Sequence, residues 1–135
     1  MRQEVITSHG TAVLVLDSIS ESTKDDAHRI IVCGSHGGAF AGEYAAKVTP
    51  RFVSFNDAGG GKEHAGTTAL AVLDVLGIPA CVVRNTSARI GDGLDHWESG
   101  IVSKTNDAGK RLRISAGESI QDAVSRFETQ RQEPT

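Results

Sequence analysis

The sequence lacks any run of about 18 apolar residues, which is roughly the length that a helix needs to cross a bilayer. It also has no cluster of Lys and Arg with interleaved aromatic residues, and its formal net charge is -3. Proteins that bind nucleic acids usually carry a basic face. We therefore expect neither a membrane nor a nucleic acid as a partner.

Cysteine and aromatic residues are scarce as well, with two Cys and 4% aromatic residues in the chain. Cys33 and Cys81 both lie in apolar segments that are typical of strands, which predicts buried thiols in a reducing compartment rather than a disulfide framework. Residues 1–6 contain no apolar signal core. We therefore expect a cytoplasmic protein whose core consists mainly of Val, Ile, Leu and Ala.

The length and composition are those of one globular domain. The chain has 135 residues, of which 39% are hydrophobic and 23% are charged. This is long enough for one hydrophobic core and too short for two ordinary domains. We expect a single α/β domain over residues 1–135, with residues 130–135 as a frayed tail.

Apolar strand-like segments alternate with helical patterns after a hairpin at the start of the chain. The hairpin comprises residues 4–7 and 11–16, joined by a turn that contains Gly10. The predicted strands that follow are residues 29–33, 51–55, 80–84 and 101–103. The predicted helices are residues 39–48, 67–76 and 94–99, and a final helix that starts at a capping box formed by Ser115 and Glu118.

This alternation predicts a three-layer α/β sandwich with a mostly parallel sheet, similar to flavodoxin and Rossmann folds, with an N-terminal hairpin. We expect the strands at residues 29–33, 52–55 and 81–83 to be parallel neighbours. Right-handed crossover connections are expected to cover both faces of this sheet.

A polar loop rich in glycine follows each of these three strands. We name residues 34–38 the first loop, residues 57–66 the second loop and residues 85–93 the third loop. In open α/β sheets, ligands bind outside the carboxyl ends of the strands, near a switch in strand order. All three loops are expected at that edge, which makes it the predicted binding site.

The second loop resembles a phosphate-binding loop in its glycines, its lysine and the hydroxyl residues that begin the next helix. In that motif Ser or Thr directly follows Lys, whereas Glu63 follows Lys62 here. This excludes a nucleotide hydrolase of the P-loop type. The backbone at Gly59 and Gly60, with Lys62, still favours an anion of some kind.

The first loop places a histidine beside free backbone. His36, Gly37 and Gly38 look like the oxyanion-hole motif of the α/β-hydrolase family, but the chain has no G-x-S-x-G elbow. Gly34, Ser35 and Gly37 are predicted to contact the ligand. His36 is chemically suited to proton transfer because an imidazole can both take up and release a proton near neutral pH.

The remaining candidate residues lie in the second and third loops. Asp57 is a second candidate for proton transfer, and His64 is a third. Arg89 can clamp a carboxylate or phosphate with its planar guanidinium, and Asp92, between two glycines, can approach a ligand closely. No motif for a cofactor occurs, so none is predicted. A metal site is an alternative without a typical ligand spacing, and the residues that could supply its ligands are His36, Asp57, His64, Asp92, Asp95 and His96. We expect Asp95 and His96 instead to be solvated or to cap a helix.

The first hypothesis is a small cytoplasmic enzyme that acts on an anionic small molecule by acid–base chemistry, of hydrolase, lyase or isomerase type. The second is a ligand-binding or regulatory subunit with the same site and no turnover. The third is an interaction module, because the helix at residues 67–76 is apolar almost all round and needs cover on its outer side. That helix predicts a homo-oligomer.

Overall fold

The structure, a computed structural model, describes residues 1–60 and 62–132 and, within these ranges, all side chains except those of 62–64 and 129–132. The strands are β1 (Arg2–Ile6), β2 (Ala12–Leu16), β3 (Ile30–His36), β4 (Phe52–Asn56), β5 (Ala80–Val83) and β6 (Val102–Thr105). The α-helices are α1 (Ala39–Val48), α2 (Thr68–Asp74), α3 (Gly93–Ser99), α4 (Asp107–Arg111) and α5 (Ile120–Gln132). Short 3-10 helices cover Ile19–Glu21, Lys24–Asp26 and Lys62–Thr67.

In the described part of the chain, the strands form one six-stranded sheet in the order of the sequence, β1 to β6. β2, β3, β4 and β5 are parallel to one another, which confirms the predicted pairing of the three central strands. β1 and β6 each pair antiparallel with their neighbour, and β1 with β2 forms the predicted N-terminal hairpin. The fold is therefore α/β with a mixed sheet, and the expectation of a mostly parallel sandwich is not confirmed.

The strand order determines which face each helix covers. Because β2 to β5 follow one another in a single direction, right-handed connections between them all lie on the same face. Ile19, α1 and α2 accordingly share one core cluster with the sheet. The opposite cluster contains α5 residues and packs against Leu94 and Trp97 of α3. The expectation that the crossover connections cover both faces is therefore wrong.

Burial of the sheet on both faces explains its sequence. Val13 and Val15 of β2 belong to one core cluster, whereas Leu14 and Leu16 belong to the other. Side chains alternate between the two faces of a strand, so a strand covered on both sides needs a continuous apolar run. This requirement explains why the continuous apolar runs in the sequence predicted the positions of the central strands.

The helix that was expected to be apolar all round is shorter than predicted. α2 ends at Asp74, and Gly77 adopts the left-handed conformation (φ 70°) expected of a glycine after a helix end. Its buried residues are Ala69, Leu70 and Leu73. Val75, which follows the helix, is 86% exposed.

The last helix starts later than the capping box predicted. Glu118 accepts a hydrogen bond from the Ser115 N–H, but these residues form a turn. The helix begins at Ile120, where the Ser119 hydroxyl accepts from the Asp122 N–H. α5 then continues to Gln132, so residues 130–132 of the predicted frayed tail are helical, and residues 133–135 lie outside the described residues.

None of the helices described in residues 1–60 and 62–132 is both long and apolar enough to span a membrane.

Candidate functional site

The three glycine loops meet at the carboxyl edge of the parallel strands. The Gly37 N–H donates to the Asn56 carbonyl, which joins the first loop to the end of β4 (2.8 Å). The Gly91 N–H donates to the Gly34 carbonyl and joins the third loop to the first (2.8 Å). The Asn85 N–H donates to Asp57 and joins the third loop to the second (3.0 Å). The loops therefore form one connected surface.

Most of the first loop is part of β3, which runs on to His36 instead of ending at Cys33. A Cβ atom at Gly34 would lie 2.7 Å from both the Asp17 carbonyl oxygen and the Asp92 nitrogen. A Cβ atom at Gly37 would lie 2.7 Å from the Gly66 carbonyl oxygen. Both glycines are thus required by the close approach of neighbouring backbone.

Ser35 and His36 of the first loop have different environments. The Ser35 hydroxyl accepts a hydrogen bond from the Ile19 N–H (2.9 Å), so it holds the connection between β2 and β3. His36 is exposed. Its ring lies beside Gly38, because a Cβ atom there would be 3.0 Å from His36 Nε2. His36 is therefore available to a ligand at the start of α1.

Among the described residues, no side chain caps the N-terminus of α1. Gly38 is the N-cap residue, with extended backbone (φ −81°, ψ 179°), and its first turn contains no acidic residue. The first N–H groups of a helix have no partner within the helix, and they carry a partial positive charge. Such a helix end is suited to an anion.

The second loop is held by Asp57. Its Oδ1 accepts from the N–H groups of Gly59 (2.8 Å) and Asn85 (3.0 Å), and its Oδ2 accepts from the Ser103 hydroxyl (2.7 Å). Gly59 and Gly60 have left-handed φ angles of 74° and 87°, which glycine adopts without strain. The carboxylate therefore fixes the turn and attaches it to β6.

Two predicted residues of the second loop, Lys62 and His64, have side chains outside the described residues. Their backbone lies in the 3-10 helix Lys62–Thr67. This helix ends directly before α2. The predicted roles of both side chains stay predictions.

The third loop presents Arg89 and uses Asp92 for its own structure. Arg89 is exposed, and its N–H donates to Asp95 Oδ2 (2.9 Å). Asp92 is the N-cap of α3, and its Oδ1 accepts from the Asp95 N–H (3.0 Å). The Gly93 N–H donates to Asp17 Oδ1 (2.9 Å), so a second carboxylate also caps this helix.

Sequence reasoning missed Asn56, which connects all three loops. Its side chain is completely buried. Its Oδ1 accepts from the Ala58 N–H (2.8 Å), and its Nδ2 donates to the Ala88 carbonyl (3.0 Å). Its own carbonyl accepts from Gly37. The available signal was a polar amide at the end of an apolar strand, directly before the loop that starts at Asp57.

His96 was expected to be solvated or to cap a helix, but it is completely buried. Its Nδ1 lies 2.7 Å from the Asp92 carbonyl oxygen, and its Nε2 lies 3.1 Å from Asn56 Nδ2. Burial lowers the pKa of His96, and the Asp92 carbonyl and the carboxylates of Asp95 and Asp92 oppose this effect in part. His96 is therefore neutral at neutral pH.

Cysteine thiolates can act as nucleophiles, and cysteine and acidic side chains can hold a metal ion. Cys33 and Cys81 are buried, and burial raises the pKa of each thiol to about 12. Among the side chains that the structure describes, no three His, Cys, Asp or Glu residues are grouped closely enough to hold a metal ion.

Comparisons of the chain with protein-family models, with curated proteins and with solved structures found no match.

Proposed function

We propose that the protein binds a small anion, a carboxylate or a phosphate, at the carboxyl edge of its parallel strands, and that His36 transfers a proton to or from it. The observation that carries the proposal is the uncapped N-terminus of α1, with the exposed ring of His36 beside Gly38. The helix end supplies N–H donors and partial positive charge, and the imidazole supplies an acid or a base.

The other predicted residues take supporting roles. The Arg89 guanidinium provides a permanent positive charge, and the backbone at Gly59 and Gly60 forms the remaining part of the proposed anion site. Lys62 and His64 belong to the proposal on the strength of the sequence. Because both carboxylate oxygens of Asp57 already accept hydrogen bonds, from the second loop, the third loop and β6, His36 is the better of the two candidates for proton transfer.

The reaction is proposed to be of hydrolase, lyase or isomerase type and to need no cofactor. The alternative is a ligand-binding or regulatory subunit, which binds the anion at the same site but does not convert it. The interaction module remains the third candidate, and the observation that favours it is the exposure of Phe40 (72%) and Val75 (86%). A homo-oligomer that buries the apolar residues beyond α2 is part of this third candidate.

The finer description of the fold also belongs to the proposal. Helices on both faces of the sheet support a single three-layer domain similar to flavodoxin and Rossmann folds. The sequential strand order, however, lacks the reversal at which those folds bind their ligands. In its place, the uncapped start of α1 marks the proposed site. The two buried free thiols support a reducing, cytoplasmic location.

A matched pair of substitutions at Gly38 tests the site. Gly38 has backbone angles that any residue can adopt, and a Cβ atom there meets only the exposed ring of His36 closely. Gly38→Asp places a carboxylate over the helix end, where it should stabilise the fold by about 0.3–1 kcal/mol and occupy the anion site. Gly38→Asn is a cap of the same shape without the charge.

The measurement is the shift in melting temperature with inorganic phosphate and small carboxylates. Phosphate at about 100 times its Kd should stabilise the parent by about 2.7 kcal/mol. We expect Gly38→Asp to lose this response completely and Gly38→Asn to lose less of it, because the Asn amide oxygen caps the same N–H groups without adding a negative charge. The proposal is wrong if no anion stabilises the parent, or if Gly38→Asp responds as the parent does. Light scattering on the parent then tests the interaction module through its oligomeric state.

A further inference from the structure

The backbone of Arg89 is held by side chains on both sides. The carbonyl of the preceding residue, Ala88, accepts from Asn56 Nδ2, and the N–H of Arg89 donates to Asp95 Oδ2. Ala88 itself is buried, whereas the Arg89 side chain is exposed. An exposed charged residue in a loop therefore has an anchored main chain.

The orientation of the Asn56 amide follows from its backbone partners. The Ala58 N–H can only donate, so the oxygen of the amide must face it, and the Ala88 carbonyl can only accept, so the nitrogen must face Ala88. The amide nitrogen has a second hydrogen, and this hydrogen points to His96 Nε2. Both hydrogens of the buried amide, and its oxygen, are thus used.

The tautomer of His96 follows in the same way. Its Nδ1 faces the Asp92 carbonyl oxygen at 2.7 Å, so Nδ1 carries the proton. Its Nε2 faces an amide N–H, so Nε2 is the acceptor. The neutral ring therefore links α3 to Asn56 and prevents the amide from turning away from Ala88.

We infer that Asn56, His96 and Asp95 are positioning residues, which hold Arg89 where its guanidinium meets the anion proposed above. This inference rests on the proposed function. A flexible exposed arginine contributes little to binding, because the conformational entropy that it loses on binding offsets the electrostatic attraction to the anion. A backbone that is already ordered removes part of that entropy loss, which is how preorganisation increases affinity.

The ring of His96 provides a test that needs no ligand. In the parent, ¹⁵N NMR of the imidazole should show a neutral ring with the proton on Nδ1. In Asn56→Asp, a carboxylate replaces the amide at Nε2 and should protonate the ring at neutral pH. If the His96 ring of the parent carries its proton on Nε2, or if the ring stays neutral in Asn56→Asp, the assigned hydrogen bond between Asn56 and His96 is wrong.

The binding test uses inorganic phosphate as the probe and compares two substitutions at one position. Asp95→Asn keeps an oxygen that can accept from the Arg89 N–H, whereas Asp95→Ala removes it. Both variants remove a negative charge near Arg89, which by electrostatics alone should strengthen anion binding. Positioning instead predicts that Asp95→Ala weakens phosphate binding by about fivefold or more, the lower end of typical coupling between sites, and that Asp95→Asn does not.

Asp107→Ala is the control for the loss of a negative charge as such, because Asp107 is an exposed carboxylate at the start of α4, outside the three loops. Amide hydrogen exchange at Arg89 shows whether its anchor is lost, and it should be faster in Asp95→Ala and Asn56→Asp than in the parent.

Equal or tighter phosphate binding by Asp95→Ala would overturn the inference. If phosphate binds the parent and Arg89→Ala weakens it while Asp95→Ala does not, the proposed function stands and only the positioning role falls. If phosphate does not bind the parent, the small carboxylate that stabilises the parent replaces it as the probe, and if no anion binds the parent, the proposed function itself falls.

Discussion

Two helices begin at the same edge of the sheet, and their first turns differ. The first N–H groups of α3 face two carboxylates of the chain itself, those of Asp92 and Asp17. The first N–H groups of α1 follow Gly38, which offers no side chain. The same electrostatic requirement is thus met internally at α3, whereas at α1 no described side chain meets it, and this is where we propose that the anion binds. Uncapped backbone therefore marks the proposed site better than glycine content does.

The largest expected effect concerns the histidine beside the uncapped helix. His36→Ala should lower the rate of turnover by roughly 10²- to 10⁴-fold, which is typical of a lost proton-transfer group, and should leave anion affinity nearly unchanged. Steady-state kinetics with the substrate, together with titration of that ligand, separates the two effects. Equal losses in binding and in rate would assign His36 to ligand binding alone.

The second prediction compares two glycines that serve the two helix ends. Gly34→Ala places a methyl group 2.7 Å from backbone atoms of Asp17 and Asp92, which form the capped end of α3, so it should destabilise the fold by about 1–3 kcal/mol. Gly38→Ala meets the movable ring of His36 and should change the stability by much less. Chemical denaturation measures both variants, and similar losses would contradict the distinction between the two ends.

The third prediction removes a cap from α3. Asp92→Ala deletes the acceptor of the Asp95 N–H and should lower the free energy of unfolding by about 0.5–2 kcal/mol. Asp92→Asn keeps an acceptor oxygen and should recover most of the loss. If denaturation midpoints for the two variants are equal, the side chain of Asp92 does not stabilise the start of α3.

The last expected effect is a pH dependence that originates at the capped helix. The pKa of His96 in the folded protein is lower than its ordinary value of 6.5, so below about pH 6.5 the unfolded chain binds a proton that the folded chain does not. The contribution to stability is therefore complete above pH 6.5 and is lost as the pH falls towards the pKa of the folded state.

Unfolding free energies between pH 5 and 7 measure this effect. Where the unfolded chain binds one proton more than the folded chain, the free energy of unfolding falls by about 1.4 kcal/mol for each pH unit. His96→Gln serves as the control, because it removes the titrating ring. A slope that is the same in the parent and in His96→Gln would show that other groups account for the pH dependence.

Several elements were predictable because their signals are local. The apolar runs located the central strands, since strands covered on both faces need them. Ala39–Val48 is helical as predicted, and Gly77 ends the region of α2 as expected. The final helix was placed too early, because Glu118 satisfies the capping pattern in a turn that lies before α5.

The candidate site was only partly predictable. The sequence indicated the edge and the three loops and assigned Asp57 to proton transfer and Asp92 to ligand binding, but it did not reveal that their carboxylates hold the turn and the helix cap. His96 was set aside as solvated, and Asn56 was not considered. Burial of both residues depends on segments about 40 positions apart in the chain, which no local pattern reveals.

The sequence by itself determined the α/β class, the central strands and the edge at which the polar loops gather, because apolar runs, glycines and helix signals act over a few residues. Only the tertiary structure decided the direction of β6, the single face that the crossover connections share, and which carboxylates are already used by the fold. These features depend on which distant segments come into contact, and in particular on the backbone groups that face each carboxylate after folding.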